Sequence, residues 1–81
     1  MRVHLSRQVV ETLRRLGEDG AELRWRIEDL KQNPYPADAR TVDEETRRYE
    51  FFARVGAGGV WVAFEHSQDR GEALVRVLVI E

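Results

Sequence analysis

No cysteine occurs in this chain, so neither a disulfide nor a thiolate-held metal can stabilise or equip it. Histidine is almost as scarce. His4 and His66 are the only two, too few for a zinc site without help from carboxylates, and no metal or cofactor is implied. Long apolar runs are missing as well. None approaches the ~18 residues of a membrane span, and no signal-peptide pattern precedes the first apolar residues. The expectation is a cytoplasmic protein with no membrane partner. An excess of positive charge is also lacking: thirteen basic and fifteen acidic side chains give a net charge of −2. Such a balance offers no overall attraction to nucleic acid, although a local basic patch could still form. Twelve of the thirteen bases are arginine, a residue suited to bidentate carboxylate or phosphate contacts. A GC-rich coding sequence is the simpler source of that bias.

What remains describes a small folded domain. Hydrophobic residues make up 42% and charged residues 35%, a mixture that can build a core and keep it in solution. Eighty-one residues make one domain, 1–81, near the lower limit for a self-sufficient core. Cores of this size rarely supply more than ~3–5 kcal/mol of net stability. A bound partner chain would therefore add considerably to it.

Val3 and Leu5 alternate with Arg2 and His4, the pattern of a short strand with one buried face. Ser6 is placed to cap a helix whose apolar stripe is Val9, Val10, Leu13 and Leu16, with Gly17 at its end. Asp19 or Gly20 opens a second helix carrying Leu23, Ile27 and Leu30, and Asn33-Pro34 terminates it. Pro34-Tyr35-Pro36 begins a polar connection to about Arg47, and Asp43-Glu44-Glu45 within it reads as a solvated acidic loop. Three strands follow: Tyr49–Val55, Val60–Glu65 and Ala73–Ile80, rich in β-branched and aromatic residues. Ala57-Gly58-Gly59 and Ser67–Gly71 separate them as hairpin turns would. The expected fold class is α+β: a small, mostly antiparallel sheet packed on an N-terminal helical pair, in the order β-α-α-β-β-β.

Alternation along the strands separates two faces. Tyr49, Phe51, Ala53, Val55, Val60, Val62, Phe64, Val75, Val77 and Val79 form an apolar set, expected against the helices. The opposite set is mixed: Arg48, Glu50, Phe52, Arg54, Trp61, Glu65 and Arg76, with Leu74, Leu78 and Ile80 among them. Three readings of this mixed face stay open. Arginine with aromatic rings can hold a phosphate backbone and stack bases. The same residue types are favoured anchors for a partner protein, and interface composition favours this second reading. Cross-strand Arg–Glu pairs also stabilise a solvated sheet with no partner at all. His66, at a strand end, reads as a surface histidine rather than an acid or base, since nothing in its spacing supplies an orienting partner. The unpaired edges of so small a sheet invite strand addition or dimerisation, which leaves the oligomeric state open.

A strand and two helices, Arg26-Ile27-Glu28-Asp29-Leu30 running to Asn33-Pro34, then Arg54-Val55-Gly56 leading into Val60-Trp61-Val62-Ala63-Phe64, resembles the RelE/ParE superfamily of toxins. These belong to type II toxin–antitoxin systems, and the resemblance covers nearly the whole chain. It implies a small sheet packed on an N-terminal helical pair and an antitoxin that wraps the protein. RelE-like members cut messenger RNA on the ribosome, whereas ParE-like members poison DNA gyrase. In RelE-like members the mixed sheet face binds and cuts RNA, the substrate's own 2′-hydroxyl acting as nucleophile. By that resemblance Arg54 holds the position of the strand-two arginine and Glu50 that of a glutamate base, the two candidate catalytic residues. Other positions depart from it. Trp61 stands where RelE-like nucleases carry a third-strand arginine, and the C-terminal arginine, histidine or tyrosine would lie past Glu81. Arg76 and His66 are the only nearby groups on offer as replacements.

The expectation is therefore a RelE/ParE-like toxin, or toxin-like component, acting mainly through protein binding, to an antitoxin first and to gyrase as the further partner the resemblance offers. The alternatives are a ribosome-dependent mRNA endoribonuclease and a non-catalytic interaction domain that keeps only the fold. The candidate binding face comprises Arg48, Phe52, Trp61, Glu65 and Arg76, with His66 as a conditional acid or base.

Overall fold

A computed structural model describes all 81 residues. The elements are β1 (Arg2–Leu5), α1 (Arg7–Leu16), a 3₁₀ turn (Gly17–Gly20), α2 (Ala21–Asp29), β2 (Arg40–Asp43), β3 (Arg48–Val55), β4 (Gly58–Asp69) and β5 (Glu72–Ile80). The strands form one sheet in the order β1-β5-β4-β3-β2. β1 pairs with β5 in parallel, and every other pairing is antiparallel. This is the expected α+β arrangement, helices on one face of a mostly antiparallel sheet, with one strand more than the sequence pattern suggested.

Local chemistry explains the N-terminal half. Ser6 stops β1 and starts α1: its Oγ accepts from the Val9 amide at 3.2 Å while donating to the Leu78 carbonyl at 2.8 Å. One side chain thus caps the helix and ties it to the far strand, so its loss should cost more than a cap alone, ~1 kcal/mol. The end of α1 is closed by Arg24, whose guanidinium donates to the carbonyls of Leu13 and Gly17. The Leu13 carbonyl is among the last four of α1, which have no partner inside the helix. α1 lies on β5 and α2 on β3. Val9, Leu23, Ile27 and Leu30 pack there against Phe51, Ala53, Val62, Phe64, Val75, Val77 and Ile80. Phe51 and Phe64 are fully enclosed, each contributing about 2–3 kcal/mol by burial.

The structure corrects the expected strands in four places, three of them strand limits. The connection expected to be a loop from Pro34 to Arg47 contains β2. Its Thr41 and Val42 are β-branched, but four exposed residues flanked by Arg40 and Asp43 carry no alternation that could reveal a strand. Gly58 and Gly59, expected in a turn, lie inside β4, and the turn falls on Gly56 and Ala57. β4 also runs four residues past Glu65, so Ser67, Gln68 and Asp69 are strand, and only Arg70-Gly71 turn the chain. Both have positive φ, 53° and 82°, as a two-residue type I′ hairpin requires.

The fourth correction concerns the two faces. Ala63 pairs with Val79 and Phe64 with Val77, so Leu78 bulges out of the ladder. A bulge adds one residue and reverses the alternation beyond it. Ile80, expected on the mixed face, therefore lies in the core, and Val79, expected in the core, does not. The carbonyl of Leu78 is the one that Ser6 Oγ satisfies, while the Gln8 side chain pairs with both the N–H and the carbonyl of Ile80. Ile80→Ala should cost ~2–4 kcal/mol of stability and Val79→Ala less than half as much, measured by denaturant unfolding. The reverse ranking would contradict the bulge.

Candidate functional site

With both helices on one face, the other is left open to solvent. Four strands supply its side chains in register. Arg40 on β2 stands beside Glu50 on β3, and Phe52 on β3 beside Trp61 on β4. Arg48 on β3, Glu65 on β4 and Arg76 on β5 form a third row. Six of the eight residues singled out from sequence thus meet on one surface, in or beside these rows: Arg48, Glu50, Phe52, Trp61, Glu65 and Arg76. Arg54, two residues past Phe52, lies on the same face at its margin and is exposed.

One row of the surface is aromatic. The rings of Phe52 and Trp61 meet edge to face with centroids 5.4 Å apart, and both remain exposed, at 47% and 38%. The Phe52 ring lies across the backbone of Gly59. A Cβ at that glycine would sit 2.0 Å from the tip of the ring, so only glycine leaves room for it. On the other side the Arg40 guanidinium stacks over Trp61, 4.3 Å from the ring centroid, and closes an ion pair with Glu50. Stacking of this kind contributes about 0.5–1 kcal/mol at an exposed site. Arg40 and Gly59 are the two members of the site that the sequence reading missed. Arg40 lay in the presumed loop and Gly59 in the presumed turn. The one signal available for Arg40 was the Thr41-Val42 pair that follows it.

Charge on this face is mostly compensated. Glu50 is taken by Arg40, and Glu65 lies 3.8 Å from Arg48. Arg76 donates to Ser67 Oγ at 3.0 Å and has no carboxylate within ion-pair distance; nor does Arg54. The backbone at Arg54 is held from the helical side, its amide donating to Glu22 at 3.0 Å.

The candidate catalytic groups are not assembled. Glu50 and Arg54 are four residues apart on one strand, about 13 Å at ~3.3 Å per residue, with Phe52 between them. The Glu50 side chain, 19% exposed, is engaged by Arg40. General acid–base work needs such a group within hydrogen-bond reach of the proton it moves. The surface has no concave pocket, and no three His, Asp or Glu side chains come together as metal ligands would.

His66 lies on the opposite side of the sheet. It shares the parity of Phe64 and Val62, so the extension of β4 turns it toward the helical face, where it is buried rather than exposed. Its Nε2–H donates to the Pro34 carbonyl at 2.8 Å, and its ring stacks on Tyr35 at 4.2 Å. Desolvation lowers its pKa below the ordinary 6.5, the bond to Pro34 opposes this, and the nearby Arg47 charge reinforces it. It fastens a loop and takes no part in the open face.

Neither a protein-family model nor a curated protein nor a solved structure matches this chain.

Gly59→Ala should push the Phe52 ring off the sheet into solvent at a stability cost of about 1–2 kcal/mol. The fluorescence of Trp61, read in a Trp25→Phe background, is expected to change with it. An unchanged spectrum would mean that the glycine does not hold the aromatic pair in place.

Proposed function

We propose that this chain is a RelE/ParE-like toxin, or a toxin-like component of a toxin–antitoxin system, that works in the cytoplasm by binding protein on the open face of its sheet. The observation that carries this reading is the Phe52–Trp61 pair, exposed on the face and framed by Arg40. Exposed tryptophan, phenylalanine and arginine side chains set side by side have the composition favoured in binding hot spots. The strand, helical pair and antiparallel meander give the chain the architecture that the sequence resemblance implies, and the antitoxin is the first partner it suggests. Gyrase is the target class that fits a toxin with no assembled catalytic centre, since its inhibition needs recognition and no hydrolytic group.

An endoribonuclease is the second reading, and one observation favours it: Arg54 and Arg76 are arginines without a carboxylate partner on this face. Guanidinium groups without a carboxylate partner suit phosphate oxygens. Against it stand the separation of Arg54 from Glu50, the Arg40–Glu50 ion pair and the burial of His66 on the other face.

Induced expression in a bacterial host separates the two. Growth arrest should survive the Arg54→Ala/Glu50→Ala double variant and be lost with Trp61→Ala, all three proteins being folded. Arrest lost in the double variant but kept in Trp61→Ala would favour the nuclease. For a partner recovered in such a screen, Trp61→Ala should weaken affinity by ~2 kcal/mol or more, roughly thirtyfold. A change under threefold would take Trp61 out of the interface.

A further inference from the structure

Across β2, β3, β4 and β5 the open face carries one continuous row of charges: Asp43 beside Arg48, Arg48 beside Glu65, and Glu65 beside Arg76. Their signs alternate: minus, plus, minus, plus. A bulge at Val42 brings Asp43 into this row. Thr41 pairs with Tyr49 and Asp43 with Arg48, so Asp43 returns to the side of the sheet that Arg40 occupies. Within the chain only the middle of the row forms an ion pair, Arg48 lying 3.8 Å from Glu65. The two ends stay unmatched. Arg76 donates to Ser67 Oγ and meets no carboxylate. Asp43 accepts from the Glu45 amide at 3.0 Å and meets no cation.

A row of even length with alternating signs becomes its own complement when it is turned end for end. A two-fold axis running along the strands between β3 and β4 makes that turn, laying a second copy face to face on the first. β2 of one copy then lies over β5 of the other, and β3 over β4. Asp43 meets the partner's Arg76 and Arg48 meets the partner's Glu65, each contact occurring twice. Two rows further along, Phe52 meets the partner's Trp61. Between them, the row Arg40, Glu50, Ala63 and Val79 sets each charged side chain against an uncharged one. Beyond Phe52, Arg54 faces the partner's Gly59. No like charges meet in any of these rows. Aligned sheets pack ~10 Å apart, within reach of long side chains from both. The overlapping patch is roughly 20 Å long, from Arg48 to Arg54, and roughly 19 Å wide across four strands. That is about 400 Å² of flat sheet per copy, half the ~800 Å² of a stable complex. The association is therefore weak, with a dissociation constant of about 1 μM or above.

We propose that the open face takes a second copy of this chain, in a face-to-face dimer held by two Asp43–Arg76 ion pairs and two Phe52–Trp61 contacts. This rests on the reading of the face as a protein-binding surface, and names its occupant when no other protein is bound. The dimer covers Phe52 and Trp61, so any other protein that the face takes competes with self-association.

Sedimentation equilibrium of the full chain between about 10 μM and about 1 mM tests it. The mean mass should rise from the 9.5 kDa of one chain toward twice that value, and added salt should reduce the rise. Arg76→Asp and Asp43→Arg, each alone, should stay monomeric, because like charges then face each other at two places. Mixed in equal amounts, the two variants should dimerise again, since opposite signs meet once more at both. Trp61→Ala should weaken the wild-type association roughly tenfold or more. Should a charge variant not fold, NMR of the wild type on dilution decides: the amides of Phe52, Trp61 and Arg76 should shift and those of α1 should not. A wild type still monomeric at the highest concentration, a dimer indifferent to both charge variants, or a mixture no heavier than its components would each overturn the dimer. Growth arrest that depends on Trp61 in a protein that never dimerises would remove the second copy and leave the protein-binding reading standing.

Discussion

Val3 lies beside Val75 and Leu5 beside Val77 in the one parallel pairing of the sheet, and the rest of the structure is arranged around it. Parallel strands cannot be joined by a tight turn, so the chain between β1 and β5 must leave the sheet and come back. It leaves through α1 and α2, which cover one face, and it returns through the meander β2-β3-β4-β5. Ser6 and Gln8 continue the link after β1 has ended, bonding to Val77, Leu78 and Ile80 where the bulge would otherwise expose backbone groups. Covering one face with both helices leaves the other with no cover from the chain itself. The open face is thus a consequence of topology, and its side chains have to be compatible with water.

They achieve that compatibility by pairing. Arg40 with Glu50 and Arg48 with Glu65 neutralise one another across adjacent strands. Exposed pairs of this kind contribute little to stability, ~0–1 kcal/mol each. Their larger effect is to neutralise charge beside Phe52 and Trp61, which stand as the exposed apolar feature of the face. Gly59 makes this geometry feasible by letting Phe52 lie flat across the backbone. Arg54 lies beside the β3–β4 turn and Arg76 in the middle row of the sheet, and neither has a carboxylate partner.

Much of this was legible in the sequence because the signals were periodic. The helical stripes of Leu23, Ile27 and Leu30, and the alternation of Phe51 and Ala53 with Phe52 and Arg54, each have one physical reading. What escaped had no periodic signature. β2 is too short and too charged to alternate, so Arg40 was hidden with it. The Leu78 bulge changes parity without changing composition, so Ile80 and Val79 exchanged faces unannounced. His66 followed from neither: its burial depends on β4 running to Asp69, beyond the point where apolar alternation fades. The partner of β1 was illegible for a further reason. A long-range pairing between residues 2–5 and 74–77 leaves no trace in local pattern.

The claim that this face recognises protein rather than cuts RNA is tested most directly by adding the purified protein to ribosomes translating a defined messenger and mapping the transcript ends. The expected result is an intact transcript, because Glu50 is engaged by Arg40, Phe52 stands between Glu50 and Arg54, and His66 is on the other side of the sheet. Cuts within the ribosome-bound codon that vanish with Arg54→Ala or Glu50→Ala would contradict the account and restore the sheet face as a catalytic surface.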